Sequence, residues 1–449
     1  MRFGTDGVRG RAHSELTEAM ASDLGRAIAR VFSGTPVVIG GDSRESTPAF
    51  ITAVSSGLLE SGSRVESLGV VPTPVVAAEA ARTGAVGVVI SASHNPYYDN
   101  GIKVFGPGGV KLSTDVEAQI EAEWHSPTPA GATNAEQNVV VEGDAAALRD
   151  RYLERMSRSI ERRSLNGLRV VIDAANGAAS DLVGEVFSSV GADVIVMNAD
   201  PDGTNINDNC GATHTAGLQA AVRSYGADIG LALDGDADRL IAVDHEGNVV
   251  DGDRVIAILA ADMRSRGSLV ADTVVVTVMA NLGFHRAMNE SGIQVVETPV
   301  GDRHVLEALL DGGFSLGGEQ SGHIIIPAHA TTGDGMLTGV VLLDAVVRSG
   351  RSLAELSAGS MASFPQVLIN VEVPVRGEVP EEAIREVRKE LEAELGEDGR
   401  ILVRPSGTEP LVRVMVEAAH QRDAERIATT LADAIRRAFE PTDVEVNDE

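Results

Sequence analysis

The sequence predicts an α/β protein of four domains, in which three repeated α/β domains with mixed, mainly parallel sheets precede a C-terminal α+β domain. Three observations lead to this prediction. At 449 residues the chain is too long for a single hydrophobic core. Short runs of Val, Ile and Leu alternate with longer helical patterns, which is typical of parallel strands joined by crossover helices. The order of these segments also repeats three times before the pattern changes.

Each copy of the repeat contains three strand-like segments, and a polar loop lies at the end of the third. In the first copy these segments are residues 37–44, 65–71 and 85–91. In the second copy they are residues 170–178, 194–203 and 227–239, and in the third they are residues 274–281, 294–303 and 314–323. Because ligands of open α/β sheets bind beyond the carboxyl ends of strands, we expect the three loops to face a common centre.

The last part of the chain follows a different order. After residue 364 the sequence predicts an alternating strand at 366–375, a charged helix at 381–395, two strands around the loop RPSGTEP at 404–410, and a helix at 423–439. Strands and helices in this order predict a small α+β domain. The four domains are therefore predicted at residues 1–150, 151–250, 251–364 and 365–449.

The composition excludes two classes of partner. The formal net charge is −29, and lysine occurs only at positions 103, 111 and 389. Nucleic acids and anionic membranes both require a basic face, so neither is an expected partner. Adaptation to high salt and a genomic preference for Arg over Lys are alternative origins of this acidity.

The cysteine content and the hydropathy pattern predict a cytoplasmic protein. Cys210 is the only cysteine, so an intramolecular disulfide is excluded and a reducing compartment is compatible. The first residues, MRFGTDGVRG, lack the apolar core of a signal peptide, and no run of about 18 apolar residues occurs.

The loop DGDADR ends the second copy with carboxylates at alternate positions, Asp234, Asp236 and Asp238. In an extended segment they would project to one side, where three oxygens suit a hard divalent cation such as Mg²⁺. An EF-hand is excluded, because glycine is second rather than sixth and His245 replaces the Glu of the twelfth position. A solvated acidic turn is the alternative. The adjacent Arg239, which could pair with phosphate oxygens, favours a site.

The loop SASHNP ends the first copy with two serines, Ser91 and Ser93. A serine hydroxyl is a poor nucleophile unless it is activated or already modified. Carrying a phosphate, a serine here would be both a phosphoryl donor and an anionic ligand for a cation held by three aspartates. His94 and Lys103 are near enough in sequence to transfer a proton or to stabilise charge. A serine-rich turn is the alternative.

The fourth loop, RPSGTEP, combines guanidinium, hydroxyl and glycine. Glycine lets successive backbone N–H groups converge on an anion, and the side chains add donors. A hairpin turn is the alternative. A phosphate-binding site is favoured, because two arginines occur here in a chain that is otherwise strongly acidic. The predicted phosphate ligands are Arg404, Ser406, Gly407, Thr408 and Arg413.

The loop GGEQSGH of the third copy places Glu319, Ser321 and His323 at alternate positions. Carboxylate and hydroxyl groups presented together suit the vicinal hydroxyls of a sugar. Two further glycine-flanked loops carry an arginine each, Arg9 in FGTDGVRG and Arg303 in TPVGDRH. A purely structural turn is the alternative for both, and Arg9 is the stronger candidate.

Taken together and in this order, the motifs resemble those of the α-D-phosphohexomutase family over essentially the whole chain. The resemblance implies four domains around a central cleft, a phosphosugar substrate, one Mg²⁺ per chain and a hexosamine 1,6-bisphosphate intermediate, in a monomer or homodimer. Within the family, the motifs are most similar to the branch that acts on glucosamine phosphates. The alternative is the branch that acts on mannose and glucose phosphates, which more often has Met where this chain has Gln320. Ala237 departs from the glycine that is common at its position.

The resemblance also implies roles for individual residues. Ser93 would carry the phosphoryl group and bind Mg²⁺ together with Asp234, Asp236 and Asp238. The residues expected at the reacting centre are Arg9, His94, Lys103 and Arg239. Lys103 is favoured as proton shuttle because a neighbouring guanidinium could lower its pKa, with His94 as the alternative. The predicted substrate-binding residues are Glu319, Ser321, His323, Arg303, Arg404, Ser406, Gly407, Thr408 and Arg413.

Two interpretations without this chemistry are also compatible with the motifs. A non-catalytic protein that binds a phosphosugar or Ca²⁺ could use the same loops. A phosphatase with an aspartate nucleophile from DGDADR would release phosphate and form no bisphosphate.

Overall fold

The structure is a computed structural model that describes residues 2–4, 6–126, 140–375, 377–406 and 410–439. The chain divides into two compact units. One comprises Met1–Met279 and Met288–Ser360, and the other comprises Ala280–Ala287 and Met361–Glu449. Of the helices among these described residues, none has the length and apolar character needed to cross a bilayer.

The first sheet lies in the larger unit. Its strands are β1 (Val8–Arg11), β2 (Val37–Gly41), β3 (Val65–Val70), β4 (Val86–Ile90), β5 (Asp99–Gly106), β6 (Val110–Lys111) and β7 (Val140–Glu142). Its helices are α1 (Glu18–Val31), α2 (Thr47–Glu60), α3 (Thr73–Thr83) and α4 (Thr114–Trp124). The strand order is β1-β5-β4-β2-β3-β7, with β6 beside β5.

Strand β2 is buried along its whole length because helices cover both faces of the sheet. Val37 and Ile39 belong to a core that includes residues of α1 and α2, whereas Val38 belongs to a second core that includes residues of α3. A continuous apolar run therefore serves two cores through the alternation of side chains along a strand.

A second sheet follows in the same unit. The elements of this region are α5 (Ala145–Ser159), β8 (Arg169–Asp173), α6 (Val183–Ser189), β9 (Asp193–Met197), α7 (Ala216–Tyr225), β10 (Ile229–Leu233), β11 (Leu240–Asp244) and β12 (Val249–Val250). The strand order is β12-β11-β10-β8-β9.

The chain then forms a third sheet. The elements of this region are α8 (Gly252–Ser265), β13 (Thr273–Thr277), α9 (Leu282–Glu290), β14 (Gln294–Thr298), α10 (Asp302–Gly312), β15 (Gly317–Gly318), β16 (Ile324–Ile325), α11 (Gly335–Ser349) and α12 (Leu353–Ser360). The strand order is β14-β13-β15-β16.

The predicted threefold repeat is confirmed by the strand orders. The parallel trios β3-β2-β4, β9-β8-β10 and β14-β13-β15 are equivalent. In each repeat an antiparallel strand then returns beside the third one, namely β5, β11 or β16. These returning strands were not predicted from the sequence. Lys103 lies on one of them, β5, and Arg9, expected in a glycine-flanked loop, lies on β1.

The smaller unit contains the predicted α+β arrangement. Its elements after residue 361 are β17 (Gln366–Glu372), α13 (Glu381–Leu395), β18 (Gly399–Pro405), β19 (Leu411–Ala418) and α14 (Gln421–Ala438). The strands pair antiparallel in the order β17-β19-β18. Ile427, Leu431 and Ile435 recur every four residues along α14, so they form one buried stripe in the core of this unit. The domain boundaries at residues 150, 250 and 364 stay predictions.

Candidate functional site

The loop after β4 presents the Ser93 hydroxyl to the loop after β10. Ser93 has a left-handed backbone, with φ 52°, and it is completely buried. Its Oγ donates a hydrogen bond of 2.6 Å to Oδ2 of Asp234, and it lies 3.3 Å from Nδ1 of His94. The loop after β4 (the serine loop, residues 91–99, up to the start of β5) therefore meets the loop after β10 (the aspartate loop, residues 234–239), as the sequence predicted.

A buried arginine holds the serine loop. Arg44 donates to the carbonyl oxygens of Ser93 at 2.9 Å and Asn95 at 2.8 Å, and it also contacts those of Pro96 and Asp99. Its charge is balanced by Asp42, 2.9 Å away, and neither side chain is exposed. Since a buried guanidinium is costly without such partners, the four hydrogen bonds to loop carbonyls specify the shape of the loop, while the Nε–H donates to Asp42.

Two further side chains complete this arrangement. The Ser91 hydroxyl donates to Asp42 at 2.6 Å and accepts the Ser93 N–H at 2.9 Å. From the second repeat, Nδ2 of Asn207 donates to the carbonyl oxygens of Ser93 at 2.9 Å and Asn95 at 3.1 Å. The serine loop is thus fixed by groups from two repeats.

The loop after β10 brings together the three predicted carboxylates. Asp234, Asp236 and Asp238 are all buried, and one oxygen of each lies within 4.8 Å of the other two. Oδ1 of Asp236 and Oδ1 of Asp238 are buried and accept no hydrogen bond within the described part of the chain. Buried carboxylate oxygens without donors are costly, so this donor set fits a hard divalent cation.

The charges around the triad determine how it ionises. Burial raises the pKa of Asp234 well above its usual value, and the neighbouring charges of Asp238 and Asp236 add to the increase. The backbone N–H of Arg239 donates to Oδ1 of Asp234 at 3.2 Å, and its Nε lies 3.7 Å from Asp238. The three carboxylates therefore require more positive charge than the adjacent guanidinium supplies.

Lys103 supplies part of that charge from β5. Its Nζ lies 2.7 Å from Asp236, 2.9 Å from Asp6 and 3.3 Å from Asp238. Burial alone would lower the pKa of Lys103, but these carboxylates outweigh burial and hold that pKa well above its ordinary value. The expectation of a lowered pKa was wrong, because the dominant neighbours of Lys103 are carboxylates rather than a guanidinium.

His94 has the opposite electrostatic environment. Burial, followed by the positive charges of Arg239 and Arg9, lowers the pKa of His94 to about 4. The imidazole is therefore neutral at pH 7, beside the Ser93 hydroxyl. Arg9 itself contacts the carboxylate of Asp6.

The third loop adds the residues predicted to bind sugar hydroxyls. Oε1 of Glu319 accepts the N–H of Gly301 at 3.1 Å, and Oε2 accepts the Ser321 hydroxyl at 3.3 Å. His323 is buried, with Nδ1 at 3.5 Å from Asp238 and Nε2 at 3.3 Å from Asp302. Glu319 and Ser321 lie in the turn between β15 and β16, and His323 joins that turn to the aspartate loop.

Arg303 contacts a carboxylate of the first repeat. Its guanidinium contacts the carboxylate of Glu117 on α4, with 14% of the Arg303 side chain exposed. Its role in binding a substrate stays a prediction.

The fourth loop lies in the smaller unit and is described only in part. Arg404 on β18 and Arg413 on β19 are cross-strand partners in the antiparallel register. The N–H of Ser406 donates to the carbonyl of Leu411 at 2.7 Å. Gly407 and Thr408 lie outside the described residues. The pairing of two arginines places two cationic side chains beside each other on one face of the sheet.

Four family models match the chain in order. Domain I of the phosphoglucomutase/phosphomannomutase family, an alpha/beta/alpha domain, matches residues 1–130, and domain II matches residues 150–247. Domain III matches residues 251–364, and the C-terminal domain matches residues 368–434. The chain belongs to this family. It is an isomerase of the intramolecular phosphotransferase type.

Individual relatives resemble this phosphohexomutase over nearly the whole length. A protein of Rhodococcus opacus (strain B4) named phosphoglucosamine mutase is 49% identical over 447 residues, which cover 96% of this chain and 98% of the relative. A protein of the same name from Mycolicibacterium paratuberculosis is 50% identical and covers 97% of this chain and 99% of the relative.

Solved structures give the same fold. A putative phosphomannomutase of Thermus thermophilus has a TM-score of 0.78 at 25% identity, covering 96% of this chain and 99% of that one. The N-acetylphosphoglucosamine mutase of Aspergillus fumigatus, solved with GlcNAc-6P and magnesium, has a TM-score of 0.72 at 20% identity, covering 98% and 96%.

Three charged residues of the phosphohexomutase site were not predicted from the sequence. Lys111 lies 2.5 Å from both Asp6 and Asp302, and its side chain is only 9% exposed. Asp302 also approaches His323, so these residues join the first repeat to the third. Asp6 and Asp302 lie within the glycine-flanked loops FGTDGVRG and TPVGDRH, and lysine is so scarce in this chain that Lys111 could also have been singled out.

Proposed function

We propose that this phosphohexomutase interconverts glucosamine 6-phosphate and glucosamine 1-phosphate through a phosphoserine at position 93 and a 1,6-bisphosphate. Two relatives named phosphoglucosamine mutase, 49% and 50% identical over nearly the full chain, support this choice of substrate. Gln320 in the third loop supports the same branch of the family.

The main observation behind the proposal is the contact between Ser93 and Asp234. Their side chains are 141 positions apart in sequence, yet they form a buried hydrogen bond of 2.6 Å. A serine at a strand end, beside three carboxylates that fit a divalent cation, has the surroundings that a phosphoryl carrier needs.

The reaction would proceed in two transfers. In the first, O1 of glucosamine 6-phosphate attacks the phosphorus of phospho-Ser93, the bond from phosphorus to Ser93 Oγ breaks, and the O1 proton passes to a base. The product is the 1,6-bisphosphate. In the second, Ser93 Oγ attacks the phosphorus on O6, the bond to O6 breaks, and O6 takes up a proton, which leaves glucosamine 1-phosphate.

The chain supplies both charge and proton transfer to these steps. Mg²⁺, held by Asp234, Asp236, Asp238 and the phosphorylated Ser93, would neutralise charge on the transferred group. Lys103 and Arg239 would stabilise the remaining negative charge, because both are cationic and adjoin the triad. His94 and Lys103 are the two candidates for the proton, and Nδ1 of His94 lies 3.3 Å from the Ser93 hydroxyl.

Binding of the sugar would depend on the other two loops. Glu319 and Ser321 would accept and donate hydrogen bonds to hydroxyl groups of the ring. Arg404 and Arg413 would hold the phosphate that does not react, since paired guanidinium groups match phosphate oxygens.

The test is isomerisation of hexose and hexosamine phosphates with Mg²⁺, in the unsubstituted protein and in Ser93→Ala. We expect the highest kcat/KM for glucosamine phosphates, and we expect Ser93→Ala to lose activity by several orders of magnitude. Intact mass should show one phosphoryl adduct that exchanges with substrate and is absent from Ser93→Ala. Ser189→Ala, at the end of α6, is the matched control and should retain both. Normal turnover by Ser93→Ala would refute the carrier role.

The alternative is a phosphomannomutase/phosphoglucomutase, as the name of the matching Thermus thermophilus structure would suggest. The same assay separates the two, because this alternative requires a kcat/KM for mannose or glucose phosphates at least equal to that for glucosamine phosphates.

A further inference from the structure

Asp334, at the start of α11, is a buried carboxylate to which the proposed mechanism gives no role. It has no exposed surface. Oδ1 accepts the Tyr152 hydroxyl at 2.8 Å, and Oδ2 accepts a guanidinium N–H of Arg155 at 3.0 Å. Both donors lie on α5, and Asp334 also caps α11 by accepting the N–H of Leu337 at 3.0 Å. The start of α11 is therefore attached to α5.

The glycines on either side of Asp334 pack against the aspartate loop. The N–H of Gly335 donates to the carbonyl of Ala237 at 2.9 Å, and that of Gly333 donates to Nε2 of His323 at 3.0 Å. A Cβ atom on Gly333 would lie only 2.5 Å from the carbonyl oxygen of Asp238. There is no room for a side chain, so this segment cannot move toward the aspartate loop without displacing it.

We propose that Asp334, with Tyr152 and Arg155, is a positioning residue that fixes the aspartate loop in its cation-binding shape. The contacts run from α5 to Asp334, from its flanking glycines to Ala237 and His323, and from His323 to Asp238. Residues that orient metal ligands without touching the metal commonly change metal affinity or activity by about 10- to 100-fold when they are replaced. The catalytic readout of this inference rests on the proposed function, but its metal-binding readout does not.

Helix α11 carries a second buried carboxylate that provides a matched control. Asp344 accepts from Arg163 at 2.8 Å and from Arg348 at 2.7 Å, so it also joins α11 to the chain after α5. It lies in the later part of the helix, and neither of these contacts involves the aspartate loop. Loss of its charge should cost stability without changing cation binding.

The experiment compares Asp334→Asn with Asp344→Asn in the full chain. Asparagine is as good a helix N-cap as aspartate, so the first substitution keeps the cap of α11 and removes the charge. Mn²⁺ serves as the probe, with binding followed by electron paramagnetic resonance, and unfolding is measured alongside. We expect Asp334→Asn to raise the Kd for Mn²⁺ by about 10-fold or more and to lower kcat with little change in the KM for the sugar phosphate. Asp344→Asn should keep the Kd within about 2-fold, well below that range.

Substitutions of the two donors on α5 provide a second test. Tyr152→Phe removes only the hydroxyl and should raise the Kd for Mn²⁺ less than Asp334→Asn does, while Arg155→Lys should retain tighter binding than Arg155→Met. Should Asp334→Asn not fold, these variants carry the same prediction.

Equal Kd values for Asp334→Asn and Asp344→Asn would overturn the inference, as would an unsubstituted protein that binds no Mn²⁺. Failure of the proposed function is distinguishable. In that case the unsubstituted protein would bind Mn²⁺ and show the difference between variants, yet isomerise no sugar phosphate.

Discussion

The serine loop and the aspartate loop meet at one point of the site but are held by different means. Polar side chains fix the serine loop, and the guanidinium of Arg44 alone contacts four of its carbonyl groups. Close backbone packing helps to hold the aspartate loop, which the side chain of His323 also contacts. The N–H of Ala178 donates to the carbonyl of Gly235 at 2.8 Å, and Gly177 packs so closely on Gly235 that a Cβ atom there would lie 2.8 Å from its Cα.

This difference shows which substitution damages each loop. The serine loop depends on atoms that a side chain supplies, so shortening that side chain should disorganise it. The aspartate loop packs against glycine, which has no Cβ atom. Adding a methyl group to that glycine should therefore displace the loop.

Replacing Arg44 with Met should have the largest effect. It leaves Asp42 charged and buried without its partner, and removal of one member of a buried ion pair costs about 3–5 kcal/mol. Denaturant unfolding should show this loss, and intact mass should show reduced phosphorylation of Ser93. Arg169→Met is the control, because Arg169 and Asp193 are 51% and 60% exposed and such pairs contribute at most about 1 kcal/mol. Equal losses of unfolding free energy in the two variants would contradict the role of Arg44 in holding the serine loop.

Replacing Gly177 with Ala should have an intermediate effect. The added methyl group forces the chain away from Gly235, and overpacking of this kind costs about 1–3 kcal/mol. We expect kcat and the affinity for Mn²⁺ to fall together. Gly217→Ala is the matched control, since its nearest neighbour, a methyl of Met197, would lie at an ordinary 3.7 Å. An unfolding free energy and an activity unchanged in Gly177→Ala would show that the backbone contact is not limiting.

Replacing Ala237 with Gly should have the smallest effect, and with the opposite sign. Ala237 is buried with φ 58°, a left-handed conformation that costs a residue with a Cβ about 1–2 kcal/mol. Release of this strain is partly offset by the greater freedom of glycine in the unfolded chain, about 0.4–1 kcal/mol. The free energy of unfolding should therefore stay equal or rise slightly. In the control Ala220→Gly, on the exposed side of α7, it should fall by about 1 kcal/mol. A clear loss of stability in Ala237→Gly would exclude strain at this position.

The sequence was sufficient to predict the parts of the molecule that local pattern determines. Apolar runs such as those of β2 and β10 identify parallel strands, and the polar residues at their ends identify the loops that meet. The three aspartates could be found in this way, because carboxylates at alternate positions depart from ordinary turns. The choice of Ser93 over Ser91 depended instead on the resemblance to the family.

The remaining features depend on partners that are distant in sequence. Nothing in the local sequence distinguishes Arg44 from other arginines in loops. Its role depends on the serine loop, which lies about 49 positions later and contacts it only in the folded protein. The direction of the pKa shift of Lys103 could not be predicted either, because Asp6 lies far before Lys103 in the sequence and Asp236 lies 133 positions after it. A single charged residue gives no local signal of the charge it will face.

Helix α5 limits how the protein can be dissected. A cut at residue 150 would divide this helix between two fragments, separating Leu148 from Tyr152 and Met156, which are buried on the same side. It would also remove the cap that Asp144 provides to the N–H of Ala147. A fragment that carries the second repeat should therefore begin before Asp144, and without the third repeat it would still expose the hydroxyl of Tyr152 to water.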